Sequence, residues 1–237
     1  LGNFQRFEPF SVSLWLKTPD VKERAVVMHR SRAWTDAASR GYELLIEEGR
    51  LKWSLIHFWP GDAIRVLAKN PLPVGQWVHL AARYDGSSRA SGLELFLDGE
   101  PIETTVVRDH LYKKIQYDSP GTAALTLAER FRDSGFKGGM DEVRVYDSEL
   151  SRLDIEALAR LRTTPEQFAS VSAQATDASR ALLTDYFTRR IDAPAAEARA
   201  KLADARHAES DFIETVQNIM TMEEQPTPHE TRILARG

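Results

Sequence analysis

The feature that most restricts this chain is a run of strand signals around the pair Asp98-Gly99. Residues 76–84 alternate as a strand that ends at Tyr84-Asp85-Gly86, and residues 93–97 form the next. Asp98-Gly99 then supplies what a two-residue type I′ hairpin requires, because both of its turn positions take positive φ. That makes a β-meander. Such a meander must be part of an antiparallel sheet.

The rest of the first 150 residues follows the same rule. In FSVSLWLK, Phe10, Val12, Leu14 and Leu16 point one way and Ser11, Ser13, Trp15 and Lys17 the other, the period of a half-buried strand. Leu51, Trp53, Leu55 and His57 alternate with Lys52, Ser54, Ile56 and Phe58, so both faces of that strand are partly apolar. This suits a sheet with one face on the core and the other lining a groove. Further strands are predicted at 25–29, 42–47, 63–68, 102–107 and 123–128. Short strands punctuated by Gly and Pro indicate a mainly β antiparallel sandwich.

Three motifs occur in order: a strand opened by Trp77, the hairpin LFLDGEPI and the closing GGMDEVRVYDSELS. Together they resemble the laminin-G-like, concanavalin A-like lectin/glucanase jelly roll over residues from about 4 to 161. The resemblance implies the fold. It does not imply one activity, since this sandwich serves lectins, adhesion modules, glycanases and spacers alike.

Composition divides the chain. All five tryptophans lie in the first third, and no glycine occurs between Gly139 and the terminal Gly237, whereas twelve occur up to that point. The expected organisation is a jelly-roll sandwich over 1–150, an antiparallel helical hairpin over 151–221 that packs on the sandwich or on a neighbouring domain, and a proline-containing linker over 222–237. Ser151 with Asp154 resembles a capping box, and Thr164-Pro165 with Gln167 reads as a second helix start. Phe168, Val171, Ala175, Ala178, Leu182 and Tyr186 then form one apolar stripe, matched after Asp192-Pro194 by Ala198, Leu202, Ala205, Phe212, Val216 and Ile219. Two helices so patterned are expected to close a seam through Phe168, Leu182, Leu202 and Phe212.

A formal charge of −4 argues against a nucleic-acid footprint, which needs a concentrated basic surface. No cysteine is present, which excludes disulfides and thiolate metal sites. No apolar run reaches the roughly 18 residues of a membrane span. The chain opens on Leu1 without a leader and reads as a fragment of a longer polypeptide. Its tail, MTMEEQPTPHETRILARG, resembles a linker of large exported planctomycete-type bacterial proteins, in which a laminin-G-type domain sits between domains of unknown function, often behind a cytochrome-c-like segment. Met222, Glu223, Pro226, Pro228, Thr231, Arg236 and Gly237 carry that likeness, with His229 where the pattern has Arg. HFWPGDAIRV, residues 57–66, resembles the segment that precedes the W-x-H-x-A strand of such domains. The resemblance implies an exported, periplasmic or cell-surface location and flanking domains as partners.

Catalytic patterns are missing. Sandwich glucanases carry a Glu-x-Asp-x-x-Glu-like run that sets two carboxylates roughly 5–5.5 Å apart, and none exists here. Glu43 reads as an exposed strand position, Glu47-Glu48-Gly49 as a turn, and Asp141-Glu142 as neighbours on opposite sheet faces. There is no Gly-x-Ser-x-Gly elbow and no His-x-x-x-His helix. Calcium is the metal the fold would suit, with Asp62 and Asp141 as its nominated ligands and Asp85 and Asp98 better explained as turn residues. For saccharide, the loop with His57, Trp59, Asp62 and Arg65 offers a ring for stacking and polar groups for hydroxyls, and Trp34 is the second loop aromatic. Trp15, Trp53 and Trp77 fall in strand patterns and read as core. These features specify a non-enzymatic recognition module for polysaccharide, with an interdomain scaffold lacking a soluble ligand as the alternative.

Overall fold

The computed structural model of the chain describes residues 1–31, 40–116, 124–131, 133–174, 176–217 and 219. Two antiparallel sheets face each other. The strands are β1 (Phe10–Lys17), β2 (Arg24–Ser31), β3 (Gly41–Glu47), β4 (Arg50–Phe58), β5 (Asp62–Ala68), β6 (Val78–Tyr84), β7 (Leu93–Leu97), β8 (Glu100–Pro101), β9 (Thr104–His110), β10 (Thr126–Leu127) and β11 (Gly139–Tyr146). One sheet has the order β11-β1-β6-β7-β8, the other β10-β2-β3-β4-β5-β9. The expected strands are present, although 102–107 is displaced to Thr104–His110 and 123–128, whose first residue lies outside the described residues, is reduced to Thr126–Leu127; short β8 is added at the hairpin. At that hairpin Asp98 and Gly99 have φ of 50° and 92°, the two left-handed positions the turn requires.

Alternation places the core. Phe10, Val12, Leu14 and Leu16 of β1 are fully buried and meet Tyr42, Leu44, Trp53 and Leu55 of the facing sheet. Phe10 organises the rings: its centroid lies 4.9 Å from Tyr42, 5.7 Å from Trp53 and 5.7 Å from Tyr84. Each such aromatic hides roughly 150–250 Å², about 4–6 kcal/mol of transfer free energy at ~25 cal/mol per Å².

Of the three tryptophans expected in the core, only Trp53 is fully buried; Trp15 is half-buried and Trp77 is 46 % exposed. The cause is register. The β1–β6 pairing ends at Leu16 opposite Val78, so Trp77 stands outside the ladder. Its ring lies instead over Gly139, where an added Cβ would stand 2.6 Å from the indole.

Four helices follow: α1 (Arg152–Ala159), α2 (Thr164–Ser172), α3 (Asp177–Arg190) and α4 (Ala193–Thr215). The Ser151–Asp154 capping box starts α1 as expected. Ile155 and Leu158 of α1 cover Ala81, Phe96 and Tyr146 on the outer face of the five-stranded sheet. The next cap is Thr163 rather than Thr164, because Glu166 is its reciprocal partner. The stripe from Phe168 to Tyr186 is not one helix. Thr176 and Ser179 form their own capping box and restart the chain as α3.

The expected seam between the helices is also not closed. Phe168, Leu202 and Phe212 are 40 %, 49 % and 70 % exposed, and the Phe168 ring lies 5.9 Å from that of Tyr186 within the α2–α3 pair. Polar contacts position α4 along the sandwich. Arg206 donates to the Asp85 carbonyl at 2.8 Å, His207 stacks on Phe7 at 4.7 Å, and Glu209 lies 3.7 Å from Arg6. At its C-terminal end Lys113 Nζ donates to the Ile213 carbonyl and, at 2.8 Å, to that of Val216, where a cation complements the helix dipole. No helix among the described residues is long and apolar enough to cross a membrane.

Candidate functional site: the outer face and open end of the six-stranded sheet

Cross-strand register aligns His29, Glu43, Ser54, Arg65 and Arg108 in one row across the outer face of the six-stranded sheet. Glu43 is therefore not an exposed strand position; it is 1 % exposed and held from both sides. Arg65 reaches it at 3.0 Å and Arg130 at 2.5 Å. Arg130 continues to Asp133 at 2.5 Å, Asp133 to Arg24 at 2.7 Å, Arg24 to Glu47 at 3.1 Å and Glu47 to Lys52 at 2.8 Å. Burial opposes ionisation of Glu43, but Arg130, Arg65 and Lys52 outweigh it and hold the carboxyl below its ordinary range. The same contest leaves Asp133 well below the carboxylate range, through hydrogen bonds from Arg24 and Arg130. Glu43 and Glu47 are thus fully engaged ion-pair partners, with neither poised to take or give a proton.

The network ends at the β4–β5 connection. Arg65 donates from Nε to Ser54 Oγ at 2.8 Å, and its guanidinium lies 3.4 Å from the centroid of the Trp59 ring. Trp59 is half-buried, and the peptide bond it makes to Pro60 is cis. Trp59 and Arg65, nominated from the sequence, are therefore together, and they hold each other. Asp62 spends both carboxylate oxygens on backbone donors, from Tyr112 at 2.7 Å and Lys113 at 3.2 Å. It pins the segment after β9 beside β5. His57 Nδ1 contacts the Lys114 carbonyl at 2.6 Å and Nε2 faces the Arg40 guanidinium at 3.4 Å. A carbonyl only accepts and a guanidinium only donates, so the ring is neutral with its proton on Nδ1. Burial, aided by Arg40, lowers its pKa accordingly.

His57 and Asp62 border a cleft of about 610 Å³, closed on its other sides by Phe58, His110, Tyr112, Lys113 and the end of α4 at Ile213 and Val216. Phe58 and Tyr112 are 44 % and 41 % exposed, and His110 bonds the Gly61 carbonyl through Nδ1 at 2.9 Å. Phe58, His110 and Tyr112 escaped the sequence reading. Only the pairing of β5 with β9, almost fifty residues on, brings His110 opposite Ala63. Trp34 lies outside the described residues.

The two acids nominated for calcium do not share a site. Asp62 belongs to β5 of one sheet and Asp141 to β11 of the other. Asp141 Oδ1 accepts the Glu142 amide at 2.8 Å. Among the described residues no group of three or more His, Cys, Asp or Glu side chains could hold a metal ion.

This geometry is that of a lectin-like sandwich. The family model described as the concanavalin A-like lectin/glucanases superfamily matches residues 2–156, and the chain belongs to that superfamily. No curated protein matches the sequence. Among solved structures, the chain is similar to the CBM40 of the Ruminococcus gnavus IT-sialidase bound to α2,3-sialyllactose, at 19 % identity and TM-score 0.50, covering 65 % of this chain and 83 % of that one. It also matches domain 4 of a Geobacillus stearothermophilus extracellular arabinanase in complex with arabinotriose, at 19 % identity and TM-score 0.40, covering 64 % and 66 %. A third match is the binding domain of botulinum neurotoxin serotype G, at 13 % identity and TM-score 0.45. There 67 % of this chain is covered and the match spans 37 % of that chain.

Proposed function

We propose that this domain is a non-catalytic carbohydrate-recognition module within a larger exported bacterial protein. The observation that carries the reading is the cleft at the open end of the six-stranded sheet, where exposed Phe58 and Tyr112 stand with His57 and His110 around about 610 Å³. Flat rings suit the apolar face of a sugar, and the free Nε2 of His110 suits a hydroxyl. Trp59 and Arg65 brace the loop that carries this wall, and Asp62 fixes the opposite one. The engagement of Glu43 and Glu47 in ion pairs supports the absence of hydrolysis. The CBM40 likeness in fold and the linker-like tail motif support the module and its exported setting.

The test is a glycan array followed by calorimetry on the best hit, using wild type, Tyr112→Ala and Trp59→Ala. Each substitution should weaken binding about tenfold or more, the scale for losing a buried aromatic anchor. Chelation with EDTA should change nothing. An array without hits, or affinities indifferent to both changes, would remove this cleft from consideration. A second reading, an interdomain scaffold, draws on exposed Phe187, Ile191, Leu202 and Phe212 of α3 and α4. Tight association with the separately expressed flanking domains, without glycan binding, would favour it.

A further inference from the structure

The opposite face of the molecule holds an aromatic cleft that the reading above does not use. It measures about 400 Å³ and is lined by Trp15, Trp77, Asp141, Glu142 and Leu161. Its floor is the outer face of the five-stranded sheet, beyond the cover of α1.

Three local features build it. Gly139, opposite Lys17 in the β1–β11 ladder, has no side chain, so the Trp77 indole lies against the β11 backbone while staying 46 % exposed. Trp15 stands edge-on to His79 at 5.5 Å and is half-buried beside it. Between Ser13 opposite Arg144 and Trp15 opposite Asp141, β11 carries one more residue than β1. Glu142 absorbs the difference at φ 51°, a left-handed conformation rare outside glycine. The bulge breaks strand alternation, so Asp141 and Glu142 both border the cleft when regular strand geometry would send them to opposite faces. Glu142 is steadied by Arg144, whereas Asp141 uses only Oδ1 on the protein, for the Glu142 amide. Its Oδ2 is an exposed acceptor.

We infer that this cleft is a second saccharide site, in which the exposed Trp77 ring stacks on a sugar ring and Asp141 accepts its hydroxyls. Acidic and basic side chains balance here, with Arg144 on Glu142 and Lys17 on the same strand face as Trp15. A neutral, hydroxyl-rich ligand fits that balance better than an ion does. With the first cleft on the other sheet, two sites so placed would let one module bridge two chains of a polysaccharide. The proposal rests on the recognition reading but not on the Phe58–Tyr112 cleft.

Cellohexaose, laminarihexaose and xylohexaose are the probes, titrated against the full chain with tryptophan fluorescence, acrylamide quenching and calorimetry. We expect at least one to shield Trp77 from quencher, with affinity falling ~tenfold or more in Trp77→Ala and several-fold in Asp141→Asn. Tyr112→Ala should leave that component intact. Trp77→Phe keeps a ring over Gly139 and should retain part of the affinity, which separates loss of stacking from loss of fold. Binding abolished by Tyr112→Ala but indifferent to Trp77→Ala would overturn this site and leave the recognition module standing. Failure of all three hexaoses to protect Trp77 would overturn it as well, and a glycan-array hit would then still support the first cleft.

Discussion

The sandwich and the long C-terminal helix are joined to the same molecule by different physics. In the sandwich, residues from β1 through β7 vanish into one apolar core around Phe10, Tyr42 and Trp53. In α4, 23 residues long, only Ser210 is buried, and attachment comes from Lys113, Arg206, the Phe7–His207 stack and the Arg199 bonds to the last carbonyls of α3. Apolar burial is non-directional and large, whereas surface polar contacts contribute about 1 kcal/mol or less each. One region is therefore a cooperative unit and the other a latch on its end. Ile213 and Val216 of that latch wall the Phe58–Tyr112 cleft, so an opening of α4 would remove one side of it.

The largest effect should come from the core. Trp53→Ala should cost about 3–5 kcal/mol in chemical denaturation, the range for emptying a buried aromatic site. Next is the outer-face network: Arg130→Ala should cost about 3 kcal/mol, since Glu43 and Asp133 lose a buried partner at once. A near-neutral result would mean that water replaces the guanidinium easily.

Acid should act on the sandwich too. Burial lowers the pKa of His79 to about 4 from 6.5, and His29 and His57 are lowered in the same direction. The native state then binds fewer protons than the unfolded chain between these values. Stability is complete above pH 6.5 and falls as pH drops toward 4. For His79 alone the loss by pH 5 is about 2 kcal/mol at ~1.4 kcal/mol per pKa unit. His79→Gln should flatten that part of the pH–stability curve measured by urea unfolding. The smallest effect should be Leu202→Asp, within about 0.5 kcal/mol because the side chain is half in water. A loss of several kcal/mol would mean that the helical seam is closed after all.

The same contrast governs what could be read from the sequence. Strand alternation is local and strong, so β1 through β7, the Asp98-Gly99 turn and the Ser151 cap were all legible. Glu43 was not, because its partner Arg130 lies 87 residues away and no local pattern announces an ion pair. The Asp141–Glu142 bulge was hidden for a similar reason: alternation is the default, and one extra residue against β1 is visible only once register is known. His57, Trp59, Asp62 and Arg65 were grouped by sequence proximity alone, and their partners Tyr112, Lys114 and Glu43 come from distant parts of the chain. The break before α3 did leave a signal. Thr176 and Ser179 stand at capping-box spacing, and the apolar stripe running across them masked it.

Native-state hydrogen exchange tests the central contrast most directly. Amides of β1, β3 and β4 should exchange only through global unfolding, with protection that tracks the denaturation free energy, while those of α4 should exchange through a local opening several kcal/mol lower. Lys113→Met, which removes the cation from the Ile213 and Val216 carbonyls, should lower α4 protection further and leave the strands untouched. Equal protection in α4 and the core strands, lost together as denaturant rises, would contradict the division into core and latch.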